Sequence, residues 1–229
     1  MTRWVVRARA GASHAVLAAL LEAYPAGLEE RADDEFVVYG RAPEIPDADV
    51  REEAVPDGWE TAYHAFVPRV VAGRFAVRPP WIAGEDDDLV VDPGRAFGAG
   101  THPTPRLCLE LLPEGSGPLA DWGAGTGVLA LAALRLGYAP VLGIDIDTTQ
   151  LDVNGVPARR LDLTQERAPY APVVLANLTF GLLQAVARVQ ERPQLMLASG
   201  FLAHETPALW DMRVRERREL DGWAAMVLE

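Results

Sequence analysis

The chain has 229 residues, 49% of them apolar, and a formal net charge of −12 at neutral pH. That length suits one domain of ordinary size plus a smaller one. The acidic balance argues against a nucleic-acid groove, which needs a basic face against phosphates, and is compatible with a basic protein partner or simply with solubility.

The single cysteine, Cys108, allows no disulfide within one chain and reads as a small core residue. His14, His64, His102 and His204 are scattered, and none has metal-ligand spacing, so no metal is expected. The first ten residues, MTRWVVRARA, are broken by arginines and do not read as a signal peptide. No stretch is long and apolar enough to span a bilayer. A cytoplasmic monomer is the expectation.

Residues 4–9 alternate apolar and basic side chains and predict a half-buried strand. Ser13 is placed to cap a helix that runs to Tyr24 and stops at Pro25 and Gly27. Residues 27–32 and 35–39 predict two strands joined by the turn Asp33-Asp34. This βαββ order opens a ferredoxin-like α+β domain. The acid- and proline-rich stretch 40–57 supplies one more edge strand at 50–55 and leads out of the domain. Residues 59–66 predict a short helix, capped by Asp57, that packs Trp59 and Tyr63 onto the next domain. The domain division expected is therefore 1–57, a linker at 58–66, and 67–229.

Strand pieces come next, at 67–77 and 86–91. Then comes a loop with Gly94, Gly98 and Gly100, running into a helix at 105–112 with Thr104 as its N-cap. The free N–H groups of such a loop and helix start can grip a carboxylate.

Residues 118–147 are the most informative stretch. An apolar run ends in Asp121, three alternating glycines stand at 123, 125 and 127, a helix covers 128–136, and a second apolar run ends in Asp145. A strand, glycine turn, helix and strand belong to a parallel, doubly wound sheet, which binds ligands at the carboxyl ends of its strands. A carboxylate at Asp145 suits the two hydroxyls of a ribose. A dinucleotide dehydrogenase would want G-x-G-x-x-G. The third glycine of that pattern would fall at Val128 or Ala130, so the pattern here is G-x-G-x-G after an acid. It looks like the S-adenosylmethionine site of class I methyltransferases, with Asp121 as a cofactor-site residue that orients either the turn or the methionine end of the cofactor.

Only residues 148–157 separate the second strand from a third at 158–162. A parallel crossover usually takes roughly a dozen residues or more, so its helix must shrink to a turn. Asp162 ends the third strand, where an acid can reach an adenine amino group. A fourth strand at 172–176 leads into Asn177-Leu178-Thr179. A helix at 180–189, a fifth strand at 194–198, a helix at 206–212 and an antiparallel pair at 214–219 and 223–228 complete the chain.

The motifs DPGRAFGAGTHPT at 92–104, DWGAGTG at 121–127, GIDID at 143–147 and Ala176-Asn177-Leu178 together resemble one family, the methyltransferases of ribosomal large-subunit protein eleven. The resemblance covers nearly the whole chain. It implies a Rossmann-like class I methyltransferase domain, an amino-terminal ferredoxin-like domain that recognises the basic ribosomal protein, and S-adenosylmethionine as cofactor. By position it implies cofactor contacts from Phe97, Gly98, Thr104, Gly123, Gly125, Asp145 and Asn177, with Asn177 also near the substrate amine. Asn177 Oδ1 and the Leu178 carbonyl are the acceptors nominated for that amine, since no dedicated base is apparent. The chain departs from the family pattern at Ala99, at Pro105 where a second threonine is usual, and in its shortened crossover. A methyltransferase of another protein or a small molecule, and a catalytically silent homologue kept as a binding protein, are the alternatives.

Overall fold

The computed structural model describes residues 2–24, 28–54, 67–94 and 100–229. The chain divides into two units, Met1–Tyr63 and His64–Glu229. The helix expected at 59–66 lies outside the described residues.

In the first unit, β1 (Thr2–Ala8), α1 (Ser13–Ala23), β2 (Glu29–Ala32), β3 (Glu35–Tyr39) and β4 (Ala48–Ala54) form an antiparallel sheet of order β2-β3-β1-β4 with one helix. The strand order is that of a ferredoxin-like fold. Its core is Val6, Ala8, Val16, Leu20, Phe36 and Val38, one face of the strands against one stripe of α1. No second helix lies between β3 and β4. Residues 40–47 cross instead as an extended segment, held by Trp4 Nε1–H on the Gly40 carbonyl (2.9 Å) and Tyr24 O–H on the Arg41 carbonyl (2.7 Å). Ser13 does not cap α1; Ala12 stands at the N-cap and no side chain caps the helix. A backbone turn with Gly11 at φ +79° and Ala12 N–H on the Arg9 carbonyl makes the entry without a hydroxyl.

The second unit opens with a small sheet of β5 (Val70–Ala72), β6 (Phe75–Arg78) and β7 (Leu89–Val90). Asp88, 4% exposed, ties it together. Its carboxylate accepts from Arg69 Nε (2.8 Å) and Nη2 (2.6 Å), Arg78 Nε (3.1 Å) and the Glu85 amide (3.1 Å).

The main sheet is built from β8 (Gly117–Trp122), β9 (Tyr138–Asp145), β10 (Ala158–Arg160), β11 (Val173–Asn177), β12 (Leu195–Leu202), β13 (Val214–Leu220) and β14 (Trp223–Leu228). Its order is β10-β9-β8-β11-β12-β14-β13, parallel except for β14. The chain steps outward from β8 to β9 and β10, then returns to β8's other side with β11. That reversal opens a crevice at the carboxyl ends of β8 and β11. Helices α2 (Pro103–Leu111), α3 (Val128–Arg135), α4 (Thr149–Val153) and α5 (Phe180–Val189) accompany the sheet. Two apolar layers cover its faces, one including Leu109, Val128, Leu151 and Leu175, the other Trp122, Ile144, Val174 and Leu183.

The crossover after β9 is reduced as expected, to the five-residue α4. It sits low on the sheet because two neighbours lack side chains: a β-carbon on Gly127 or Gly143 would lie 2.8 or 3.1 Å from Leu151. The helix expected at 206–212 is absent. Trp210 takes φ +51° within it, and Arg217 holds the Ala203 and Glu205 carbonyls just before it.

Asp121, at the end of β8 and 1% exposed, organises the step from strand to helix. The α3 N-cap, Gly127, has no side chain, and Asp121 Oδ2 accepts from Ala130 N–H in its place (3.1 Å). Burial pushes the Asp121 carboxyl up to about 7; the Ala130 N–H opposes this and the charge on Asp145 adds to it.

The two buried acids give opposite pH dependences. The bonds from Arg69 hold Asp88 at about 2, so its stabilisation is complete above an ordinary carboxylate pKa of 3.8 and is lost as pH falls through 2. The folded state keeps the Asp121 proton after the unfolded chain has released it, so this group lowers stability as pH rises from about 4 to about 7 and then levels off. Thermal melts from pH 2 to 8 should show Asp88→Asn lowering Tm at neutral pH and flattening the acid limb. Asp121→Asn should flatten the slope between 4 and 7, and an unchanged slope there would refute the assignment.

Candidate functional site

The crevice is lined first by the glycine turn, with Gly123, Gly125 and Gly127 at φ +69°, +53° and +79°. Side chains rarely take these angles, so the turn needs glycine. Two successive amides, Gly123 and Ala124, donate to the Ile144 carbonyl of β9 (2.8 and 3.2 Å). The Gly125 amide donates to Asp145 Oδ2 (2.9 Å), and Asp145 Oδ1 accepts from Asp147 N–H (3.1 Å). A carboxylate has about four acceptor positions. Two are used, which leaves lone pairs at the strand end for a ligand's hydroxyls. Ile146, next in the chain, is 65% exposed and offers an apolar surface beside them.

Asn177 and Leu178 approach from the other side. A β-carbon on Gly123 would collide with the Leu178 side chain, so the missing side chain is what allows β11 and the turn to meet. The Leu178 amide donates to the Ser199 carbonyl (2.9 Å), and its own carbonyl lies against Gly200, at a bulge in β12 where φ is +96°. Strand alternation puts Asn177 on the same face as Leu175, whose register partner is Asp121. Asn177 Oδ1 is buried and, among the described residues, accepts no hydrogen bond. An amide oxygen taken from water without a donor is costly, and its natural explanation at the mouth of a crevice is a donor that arrives with a ligand.

The remaining sequence-predicted residues divide. Phe97 and Gly98 lie outside the described residues. Thr104 is not the N-cap of α2: the cap is His102, whose Nδ1 accepts from Thr104 N–H (3.3 Å) and lies 2.9 Å from Thr104 Oγ1. Pro103 and Pro105 both fit the first turn, which has no use for their missing N–H groups, and this starts the helix two residues early. Burial lowers the His102 pKa, the Thr104 N–H makes Nδ1 the acceptor, and the ring stands edge-on to Trp223 at 4.8 Å. Asp162 lies beyond β10 in a turn, with Oδ1 held by Thr164 Oγ1–H (2.6 Å) and N–H (2.9 Å), which lower its pKa. The structure thus gathers Asp121, Gly123, Gly125, Asp145, Asn177 and Leu178 about one crevice. It sets Asp162 two strands out from β8 and Thr104 at the head of α2.

Sequence reasoning missed Asp92, Gln150 and Asn154. Asn154 Oδ1 accepts from Asp92 N–H (2.8 Å), and its Nδ2 donates to the carbonyls of Asp92 (2.9 Å) and Thr126 (2.9 Å). Gln150 Nε2 adds a bond to the Asp92 carbonyl (2.8 Å). The one available signal was Asn154-Gly155, which reads as a helix end; Gly155 has φ +69°. Nothing in the pattern names its partners. Among the described residues no group of three or more His, Cys, Asp or Glu could hold a metal, and no helix is long and apolar enough to cross a membrane.

Comparison with known proteins gives a consistent answer. Residues 30–225 match the family model described as ribosomal protein L11 methyltransferase (PrmA). A protein of that name from Geobacter metallireducens is 37% identical over 174 residues, covering 69% of this chain and 57% of its own length. Another, from Alteromonas mediterranea, is 34% identical over 205 residues, covering 78% of this chain and 70% of its own. This chain thus spans just over half of the first relative and about two thirds of the second. The crystal structure of ribosomal protein L11 methylase from Lactobacillus delbrueckii subsp. bulgaricus superposes with a TM-score of 0.58 at 20% identity, covering 69% of this chain and 95% of that one, a likeness of fold. With a family model covering most of its length and relatives above 30% identity, the chain belongs to the ribosomal protein L11 methyltransferase family.

Proposed function

We propose that this chain transfers methyl groups from S-adenosylmethionine to amino groups of ribosomal protein L11. The observation that carries the reading is the buried Asn177 Oδ1, unpartnered among the described residues, beside the glycine turn. It is an acceptor held ready for an N–H donor, in the crevice where a doubly wound sheet binds its ligands.

The residues present fit the cofactor. The bare glycine turn lets an amino-acid moiety lie against backbone, the open lone pairs of Asp145 suit a ribose, and Ile146 offers an apolar wall to a base. Asp162, in the turn beyond β10, is carried as the contact for the adenine amino group, and Phe97, Gly98 and Thr104 join the contacts by family position. Bound there, S-adenosylmethionine supplies a methyl group on a positively charged sulfur. The protein's share is to hold an uncharged amine in line with it. Deprotonating a lysine of pKa near 10.4 at pH 7 costs about 4.6 kcal/mol, and an α-amine near 7.8 only about 1. Asn177 Oδ1 takes one N–H of the amine and thereby aims its lone pair. The Leu178 carbonyl is the second acceptor, and the apolar walls disfavour the charged form.

Residues 1–57 are proposed as the part that recognises the ribosomal protein, with 58–66 as the linker. The net charge of −12 favours a basic partner at long range. Such a substrate implies a cytoplasmic site of action.

Isothermal titration with S-adenosylhomocysteine should show Asp145→Ala losing about 1.5–3 kcal/mol of binding, the worth of charge-assisted hydrogen bonds. Unchanged affinity would remove the ribose assignment. Asn177→Ala should lower kcat roughly a hundredfold, as loss of one preorganised polar contact does, with a far smaller change in cofactor KM. A rise in KM alone would move Asn177 from the amine to the cofactor. Pro105→Thr should lower the cofactor KM by up to about tenfold, the equivalent of one neutral hydrogen bond. No gain would show that the family's second threonine is not what this site lacks.

A further inference from the structure

The structure assigns Asn154 as a positioning residue: its side chain fixes the glycine turn at Thr126 to the chain at Asp92, and so sets the shape of the cofactor crevice. The inference rests on the reading of that crevice as an S-adenosylmethionine site.

The geometry leaves Asn154 one orientation. It faces one N–H and two carbonyls, so Oδ1 must meet the Asp92 amide and Nδ2 must meet the Asp92 and Thr126 carbonyls. All three bonds are between 2.8 and 2.9 Å and partly buried. Thr126 is fully buried between Gly125 and Gly127, the two turn glycines nearest α3. The other bonds that define the turn run to β9 and α3: the Ile144 carbonyl, Asp145, and Asp121 through Ala130. Asn154 supplies a third direction, outward to Asp92. Gln150, a turn earlier on α4, reinforces the Asp92 end and packs where a side chain on Gly94 would collide with it.

The shortened crossover makes this arrangement necessary. A full crossover helix would cover the turn with packed side chains. Here α4 has five residues and exposes Val153, and its buried contribution is mainly Leu151. The polar tie from its last turn replaces that covering. Asn154→Asp is the sharp probe. It keeps the shape and the bond from the Asp92 amide, but it removes both donors and sets a carboxylate against two carbonyls.

The test uses the full chain and three variants, Asn154→Asp, Asn154→Ala and Gln150→Ala, each confirmed folded by circular dichroism at the working temperature. S-adenosylhomocysteine binding should weaken about tenfold in both Asn154 variants, from two hydrogen bonds of ordinary strength, and less in Gln150→Ala. Cofactor KM should rise in step while kcat changes little. Amide hydrogen exchange without ligand should quicken at residues 92–94 and 125–128 and stay unchanged in β12 and β14. Affinity within twofold of the parent in both Asn154 variants overturns the positioning role. A general loss of Tm with exchange quickened throughout the sheet also overturns it, by showing a merely structural residue. If the parent chain binds no S-adenosylhomocysteine, it is the cofactor reading that fails, and unchanged exchange at 125–128 then removes the tie as well.

Discussion

The bond between the Gly125 amide and the Asp145 carboxylate joins the two strands on which everything else in the second unit depends. It is one of the contacts that fix a turn whose three glycines all have positive φ. The Ile144 carbonyl takes two amides at one end, Asp145 takes one in the middle, and Asp121 caps the helix at the other. Each acid therefore has a structural partner and a reason to be buried or half-buried. Asp121 is sealed and its pKa rises; Asp145 stays at the rim with lone pairs to spare. One turn thus uses two acids that a sequence presents alike in two ways, one sealed beneath it and one left at the rim with open acceptor positions.

Beside that turn the structure uses absent side chains as a means of approach. Gly123 admits Leu178, Gly200 admits the Leu178 backbone, and Gly127 and Gly143 admit Leu151. The first two bring Asn177 to the crevice; the last two let a five-residue helix close the crossover. Adding a methyl group at any of them would push apart elements that meet at the crevice. The loss of crossover helix is then a local repacking, and the Asn154 tie restores the constraint that the lost side chains would have given.

Much of this was legible in the sequence. The glycine spacing after Asp121 separated a methyltransferase from a dehydrogenase, and α5 and the terminal hairpin were placed from apolar runs and turn residues. What was not legible depends on partners distant in the chain. The cap of α2 moved from Thr104 to His102 because two prolines preorganise the helix start and Trp223 holds the ring edge-on. The helix expected at 206–212 is absent where Arg217 holds the Ala203 and Glu205 carbonyls just before it. Ser13 lost its capping role to a backbone turn. Asn154 carries no pattern of its own, since two of its three bonds run to residue 92 and the third to residue 126. A period or a spacing reports burial and local geometry; it does not report which distant backbone groups remain to be satisfied.

The most direct test is methyl transfer itself. The full chain, S-adenosylmethionine labelled in its methyl group, and purified ribosomal protein L11 should give label on the protein, and Asn177→Ala should reduce it severely. Binding of S-adenosylhomocysteine with no label on L11 would contradict the proposed substrate, and label that survives Asn177→Ala at the full rate would contradict the placement of the amine at the one buried acceptor on which the account rests.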